Sequence, residues 1–156
     1  MSQARNRRTA GRAGDRRAER LNRPPEAEPW VWFTRDMMTS PAWAAMSLAA
    51  RRVLERVLIE HMNHAGTMNG ELVVTWGDFA RFGIRRNSLA AAISEAQRLG
   101  FLDVIDPGKR SFGGAKRAAR YAIAWLPRSD GTAATNRWKA APSLQDIRSS
   151  NASDTV

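Results

Sequence analysis

Between residues 40 and 126 the apolar positions recur at helical and strand periods, and both flanks of the chain lack such a pattern. Ser40-Pro41 has the form of an N-cap followed by a first-turn proline, which predicts a short helix over residues 43–46. Ser47 is placed to cap a longer helix. In it Ala50, Val53, Leu54, Val57, Leu58 and His61 recur at steps of three and four, while Arg51, Arg52, Glu55, Arg56 and Glu60 occupy the other face. Gly66 and Asn69-Gly70 end this helix and lead into residues 71–75, a β-branched run that predicts a strand. Thr75 and Asp78 have capping-box spacing, so a helix is expected over residues 76–82, stopped by Gly83. A further helix follows over residues 86–99, with Leu89, Ala92, Ile93, Ala96 and Gly100 on one face. Residues 102–105 then alternate as a strand, a Gly- and base-rich loop spans 107–118, and Tyr121, Ile123 and Trp125 alternate along a return strand.

The flanks read differently. Residues 1–29 hold Pro24-Pro25, Pro29 and many arginines, with Leu21 the one aliphatic residue larger than Ala beyond Met1, and predict a disordered Arg-rich arm. Residues 128–156 are polar, with Trp138 as the one large anchor, and predict a disordered tail, leaving 30–127 as a single folded domain. The chain has no cysteine, which removes disulfides, thiolate nucleophiles and Cys-based zinc sites together. No apolar run approaches the roughly 20 residues of a membrane span, and Arg7-Arg8 is followed by Gly, Arg, Asp and Glu instead of an export segment. The expected address is the cytoplasm, on the nucleoid in a bacterial cell, with no membrane partner.

Net charge sharpens this picture once it is divided along the chain. The formal +10 is +6 over residues 1–23, −2 over 24–29, zero over 30–106, +5 over 107–120 and +1 thereafter. A neutral core between two basic patches is the electrostatic footprint of a phosphate-backbone partner.

The stretch Asp78-Phe79-Ala80-Arg81-Phe82-Gly83-Ile84-Arg85-Arg86-Asn87-Ser88-Leu89, continuing to Ile93 and to Leu99-Gly100-Phe101-Leu102, resembles the second helix, turn, recognition helix and wing entry of the winged helix-turn-helix family. The resemblance covers residues 40–126. The opening from Met37 through Leu54 is similar to winged-helix modules of plasmid and phage replication initiators and of mobile-element regulators. It implies an α+β, mainly α fold of three to four helices with a small antiparallel sheet. It also implies double-stranded DNA as partner, with helix 86–99 in the major groove and a basic wing over 107–120 on the backbone. Arg86 and Asn87 are then the expected base readers, since Arg pairs bidentately with guanine and Asn with adenine, with Arg85 and Ser88 on phosphates and Ala91, Ser94 and Arg98 along the same face. Lys109, Arg110, Lys116 and Arg117 supply the wing, and Arg5, Arg7, Arg8, Arg12, Arg16 and Arg17 a non-specific arm.

Other chemistry is thinly represented. Glu60-His61-x-x-His64 places its histidines three apart at a helix end, whereas the zinc-protease helix needs them four apart, so no metal is expected. No phosphate-binding loop, nucleophile triad or apolar carboxylate pair is visible, so neither enzyme activity, a cofactor nor a small-molecule ligand is expected. Trp30, Trp32 and Phe33 read as core cover. The expected role is transcriptional regulation, with a replication initiator or accessory factor of a plasmid, phage or integrated element as alternative. A non-specific RNA or nucleoprotein binder and a protein-interaction module also remain open. A homodimer is permitted, although no dedicated dimerisation helix stands out.

Overall fold

The computed structural model describes residues 12–109 and 117–140. The chain divides into two units, Met1–Trp30 and Val31–Val156. In the first, α1 (Arg12–Asn22) is helical where composition predicts a disordered arm. The reason is local, because Ala, Arg, Glu and Leu are strong helix formers and need no core. Residues 16–22 are all exposed, and Arg16 and Arg20 lie one turn apart. Arg5, Arg7, Arg8, Arg110 and Lys116 lie outside the described residues.

The second unit is α+β. Two short helices, α2 (Arg35–Met38) and α3 (Pro41–Ala45), precede α4 (Leu48–Asn63), β1 (Leu72–Val73), α5 (Trp76–Arg81), α6 (Arg86–Arg98), β2 (Leu102–Asp106), β3 (Arg120–Ile123) and a 3-10 turn, Arg137–Ala140. Each of the first three begins where a hydroxyl can accept from the amide three residues on: Thr34 from Met37, Ser40 from Trp43 at 3.1 Å, and Ser47 from Ala50 at 3.2 Å. Four residues are too few for a periodic pattern, which is why α2 escapes the sequence reading. Ala50, Val53, Leu54, Val57, Leu58 and His61 are the buried residues of α4, as its periodicity predicts.

The sheet has the order β1-β3-β2, antiparallel throughout. Leu72 lies opposite Tyr121 in one ladder, and Leu102, Asp103 and Val104 lie opposite Ile123, Ala122 and Tyr121 in the other, with a bulge before Asp106. β1 is shorter than the run 71–75 suggests, because Val74 turns into the core and Thr75 already caps α5.

Two boundaries differ from expectation. β3 ends at Ile123, and Tyr121, Ala122, Ile123, Ala124 and Trp125 are all buried, so no inside-outside alternation survives. Both faces of this strand are covered, the second by a segment that reads in sequence as a loose tail. Asp103, level with Ala122, takes the guanidinium groups of Arg137 and of Arg128, the latter at 3.3 Å, and the Thr135 hydroxyl at 3.3 Å. The Asn136 amide donates to the Ala124 carbonyl at 2.9 Å, and the Trp138 ring stacks on Phe101 at 6.2 Å. Gly100 permits this approach: at φ +82°, a Cβ there would lie 2.4 Å from the Trp138 backbone nitrogen. The packed unit therefore starts at Val31 and extends at least to Ala140 instead of covering 30–127.

Aromatic contacts close the other end of the core. Phe33 sits edge-on to Trp43 at 5.5 Å and against Trp125 at 5.2 Å, and the Trp125 indole donates to the Trp32 carbonyl at 3.0 Å. Trp30 falls in the first unit.

Candidate nucleic-acid interface

The turn between α5 and α6 is tightly determined. Thr75 and Asp78 cap each other's amides at 3.1 and 2.8 Å, forming the capping box predicted for α5. At the other end Gly83, at φ +88°, donates to Ala80, and the Ile84 amide donates to the Phe79 carbonyl at 3.0 Å. This pair of bonds is a Schellman motif, and Phe79 and Ile84 are both buried beneath it. From α4, Arg52 donates to the Phe82 carbonyl and lies 5.1 Å from the Phe82 ring centroid, so a core helix clasps the turn from behind.

α6 is then held along its length. Leu89, Ala92 and Ala96 are buried against the core, with Ile93 half-buried. Glu95 accepts from the Ser47 amide and hydroxyl, both at 2.7 Å, tying the helix to the start of α4. The opposite face is small and exposed: Asn87, Ala90, Ala91 and Ser94. A helix so lined can lie close to a groove floor, because nothing bulky holds its backbone away.

The helix starts without a side-chain cap. Arg85 occupies the N-cap position, no acid lies in the first turn, and Arg85 and Arg86 are exposed with no side-chain partner among the described residues. Two cations beside the positive end of a helix dipole raise the local potential, which suits an anion arriving from outside. The Ser88 hydroxyl donates to the Arg85 carbonyl at 3.0 Å, so its proton is committed locally where the sequence suggests a phosphate contact. Arg98 is exposed at the far end of α6, about 18 Å from Arg86 by helical rise.

At the base of the loop between β2 and β3, Lys109 and Arg117 pair as an isolated antiparallel bridge, with backbone bonds of 3.0 and 3.3 Å. Two of the basic side chains near it already have carboxylate partners: Arg117 meets Asp106 at 2.8 Å, and Arg120 meets Glu71 at 2.7 Å and Asp106 at 3.7 Å. The Gly108 amide, bonding at 2.9 Å, holds the Asp106 carboxyl below its ordinary range despite the opposing effect of burial, with Arg117 and Arg120 adding to it. The loop base is therefore braced by its own acid, a feature that charge counting along the chain does not show. Arg117 keeps a side chain that is 59% exposed, so it can still reach an anion.

Three residues of structural weight were not singled out by sequence patterns. Asn69 is buried; its amide group donates to the carbonyls of Ile123, Leu126 and Pro127 at 3.0–3.1 Å, and its oxygen accepts from the Ile123 amide at 2.7 Å. Asp103 and Arg137 join β2 to the C-terminal segment. An asparagine before glycine signals a turn in sequence, and nothing local announces a partner more than fifty residues away.

The two histidines lie at the C-terminal end of α4. His61 is buried with Nδ1 lacking a hydrogen-bond partner, and His64 Nε2 meets Glu60 at 3.2 Å. Among the described residues no group of three or more metal-ligating side chains occurs, and no helix is long and apolar enough to cross a membrane. Comparison with protein-family models, curated proteins and solved structures finds no match to this chain.

Proposed function

We propose that the chain binds double-stranded DNA in the manner of a winged helix-turn-helix protein and acts as a transcriptional regulator. One observation carries the reading: α6 presents an uncapped, doubly cationic start and a small polar face, while Arg52 and Glu95 fix it from behind. A rigid helix with that face fits a major groove about 12 Å wide and fixes the backbone from which Arg86 and Asn87 reach, so only side-chain freedom is lost on meeting base edges. The Lys109–Arg117 bridge would set the loop base against the neighbouring backbone, contributing affinity more than sequence choice.

The test is fluorescence anisotropy of the full chain and of the double variant Arg85→Ala/Arg86→Ala. Each is titrated with mixed-sequence duplex and with a duplex selected from random DNA, at several salt concentrations. The selected duplex should bind at least about tenfold tighter, roughly 1.4 kcal/mol, and the double substitution should abolish that preference. Equal binding to all duplexes, with a steep salt slope untouched by the substitution, would show a polyanion clamp and sink the specific reading.

A further inference from the structure

Leu48 is 75% exposed in the first turn of α4, the most exposed large apolar side chain described in the protein. Ten residues along the same helix, Leu58 lines a half-open apolar cleft of about 240 Å³ together with Phe33, Met38, Trp43 and Leu54, with Arg51 and Glu55 among its lining residues. Leu48, Arg51, Glu55 and Leu58 follow one another at steps of three, four and three, so they form a single stripe down one flank of the helix. An exposed leucine and an apolar cleft thus bracket one positive and one negative side chain.

The geometry points to a two-fold dimer in which α4 packs antiparallel against α4 of a second copy, each Leu48 entering the cleft of the other. In an antiparallel pair, residues equally far from the axis on either side face each other. Leu48 and Leu58 are equidistant from Val53, and so are Arg51 and Glu55. One axis at the level of Val53 therefore brings Leu48 to Leu58 of the second copy and Arg51 to Glu55 of the second copy, twice over. Apolar fit and charge fit close on the same axis, which is the self-complementarity that an isologous contact requires.

The alternation of Arg51 and Glu55 about one axis is a charge pattern that a second copy matches twice over. Two chains of net +10 repel each other, so association needs a patch where the local charge cancels. Arg51 and Glu55 cancel here. Glu55 is exposed and has no ion pair among the described residues. The Arg51 guanidinium is pre-oriented, bonded to the Trp43 carbonyl at 2.8 Å and lying 5.1 Å from the Trp43 ring centroid, so little of its freedom remains to be lost on pairing. The arrangement does not depend on the DNA reading.

Sedimentation equilibrium of the full chain without nucleic acid, from micromolar to near-millimolar concentration, tests the arrangement. The natural chain should approach twice its monomer mass. Leu48→Asp and Glu55→Arg should each weaken dimerisation at least about tenfold while leaving circular dichroism unchanged, and melting unchanged at concentrations where the natural chain is monomeric, since both side chains are exposed. Added salt should partly restore the dimer of Glu55→Arg, where like charges face each other, and not that of Leu48→Asp, where the apolar plug is gone. A natural chain that stays monomeric throughout, or a dimer that either substitution leaves intact, overturns the arrangement.

Discussion

Glu95 reaches from α6 to Ser47 and accepts from both its amide and its hydroxyl at 2.7 Å, so the cap of one helix is completed by a side chain from another. The contact spans 48 residues of sequence and couples the orientation of α6 to the start of α4. Glu95→Ala should cost about 1–2 kcal/mol in urea unfolding, the range for losing a cap and a charge-assisted bond. A change within about 0.3 kcal/mol would mean that the bond is replaced by water at no loss.

Gly100 gives a sharper steric test. Its positive φ and the backbone of Arg137 and Trp138 leave no room for a methyl group, so Gly100→Ala should destabilise by at least about 2 kcal/mol or detach the C-terminal segment. Limited proteolysis distinguishes the two outcomes: detachment opens sites after Pro127 while the remainder stays resistant. Resistance and stability both equal to the natural chain would contradict the packing described.

Truncation after Pro127 should be more damaging still. It removes the Arg128, Thr135 and Arg137 partners of Asp103 together with the Trp138 ring, and so opens both Asp103 and Phe101 to water. The expected loss is about 3–5 kcal/mol, the range for removing a large buried aromatic ring, enough to unfold a marginal domain. A truncated chain with native circular dichroism and an unshifted melting midpoint would refute this account.

His61 sets a pH response. Burial lowers its pKa below the ordinary 6.5, and the charge of His64 pushes in the same direction. The folded state thus prefers neutral His61, so its contribution is fully present above about pH 6.5 and declines as pH falls toward the lowered folded value. Urea midpoints measured from about pH 8 to about pH 5 should fall in the natural chain and flatten in His61→Leu, whose side chain needs no hydrogen bond. The lowered carboxyls Asp78, Asp106 and Asp130 lose their contributions in a separate, more acidic window. An equal slope in both chains above pH 5 would assign the effect elsewhere.

Local chemistry explains which parts of the fold are legible from sequence. Ser40, Ser47 and the Thr75–Asp78 box act on their own nearest amides, and the buried face of α4 is a repeat of its own residues, so each can be read in place. The helix α1 is missed because a composition poor in apolar residues argues against a core, not against a helix. The C-terminal segment is missed for a different reason. Its anchors are Arg137 bonding to Asp103 and Trp138 stacking on Phe101, pairs that meet only after β2 is built. At the candidate interface, exposure of Arg85, Arg86, Asn87, Ala91 and Ser94 follows from the period that buries Leu89 and Ala92. The pairing of Arg117 with Asp106 and the commitment of Ser88 to Arg85 do not, because both depend on how the backbone turns.

The strand that arrives last in the sheet stands in its middle. β1 and β2 do not touch each other in the ladder, and each draws its strand partners from residues 120–123 alone. During synthesis, a chain that has emerged only as far as residue 119 therefore holds helices and two ribbons without their strand partner. Closure on the β1 side requires a loop of nearly fifty residues, an entropic barrier paid before that ladder forms, whereas on the β2 side the Lys109–Arg117 bridge leaves only a short loop to close. The domain should accordingly assemble in one late, cooperative step, and fragments ending before β3 should aggregate instead of persisting as folded pieces.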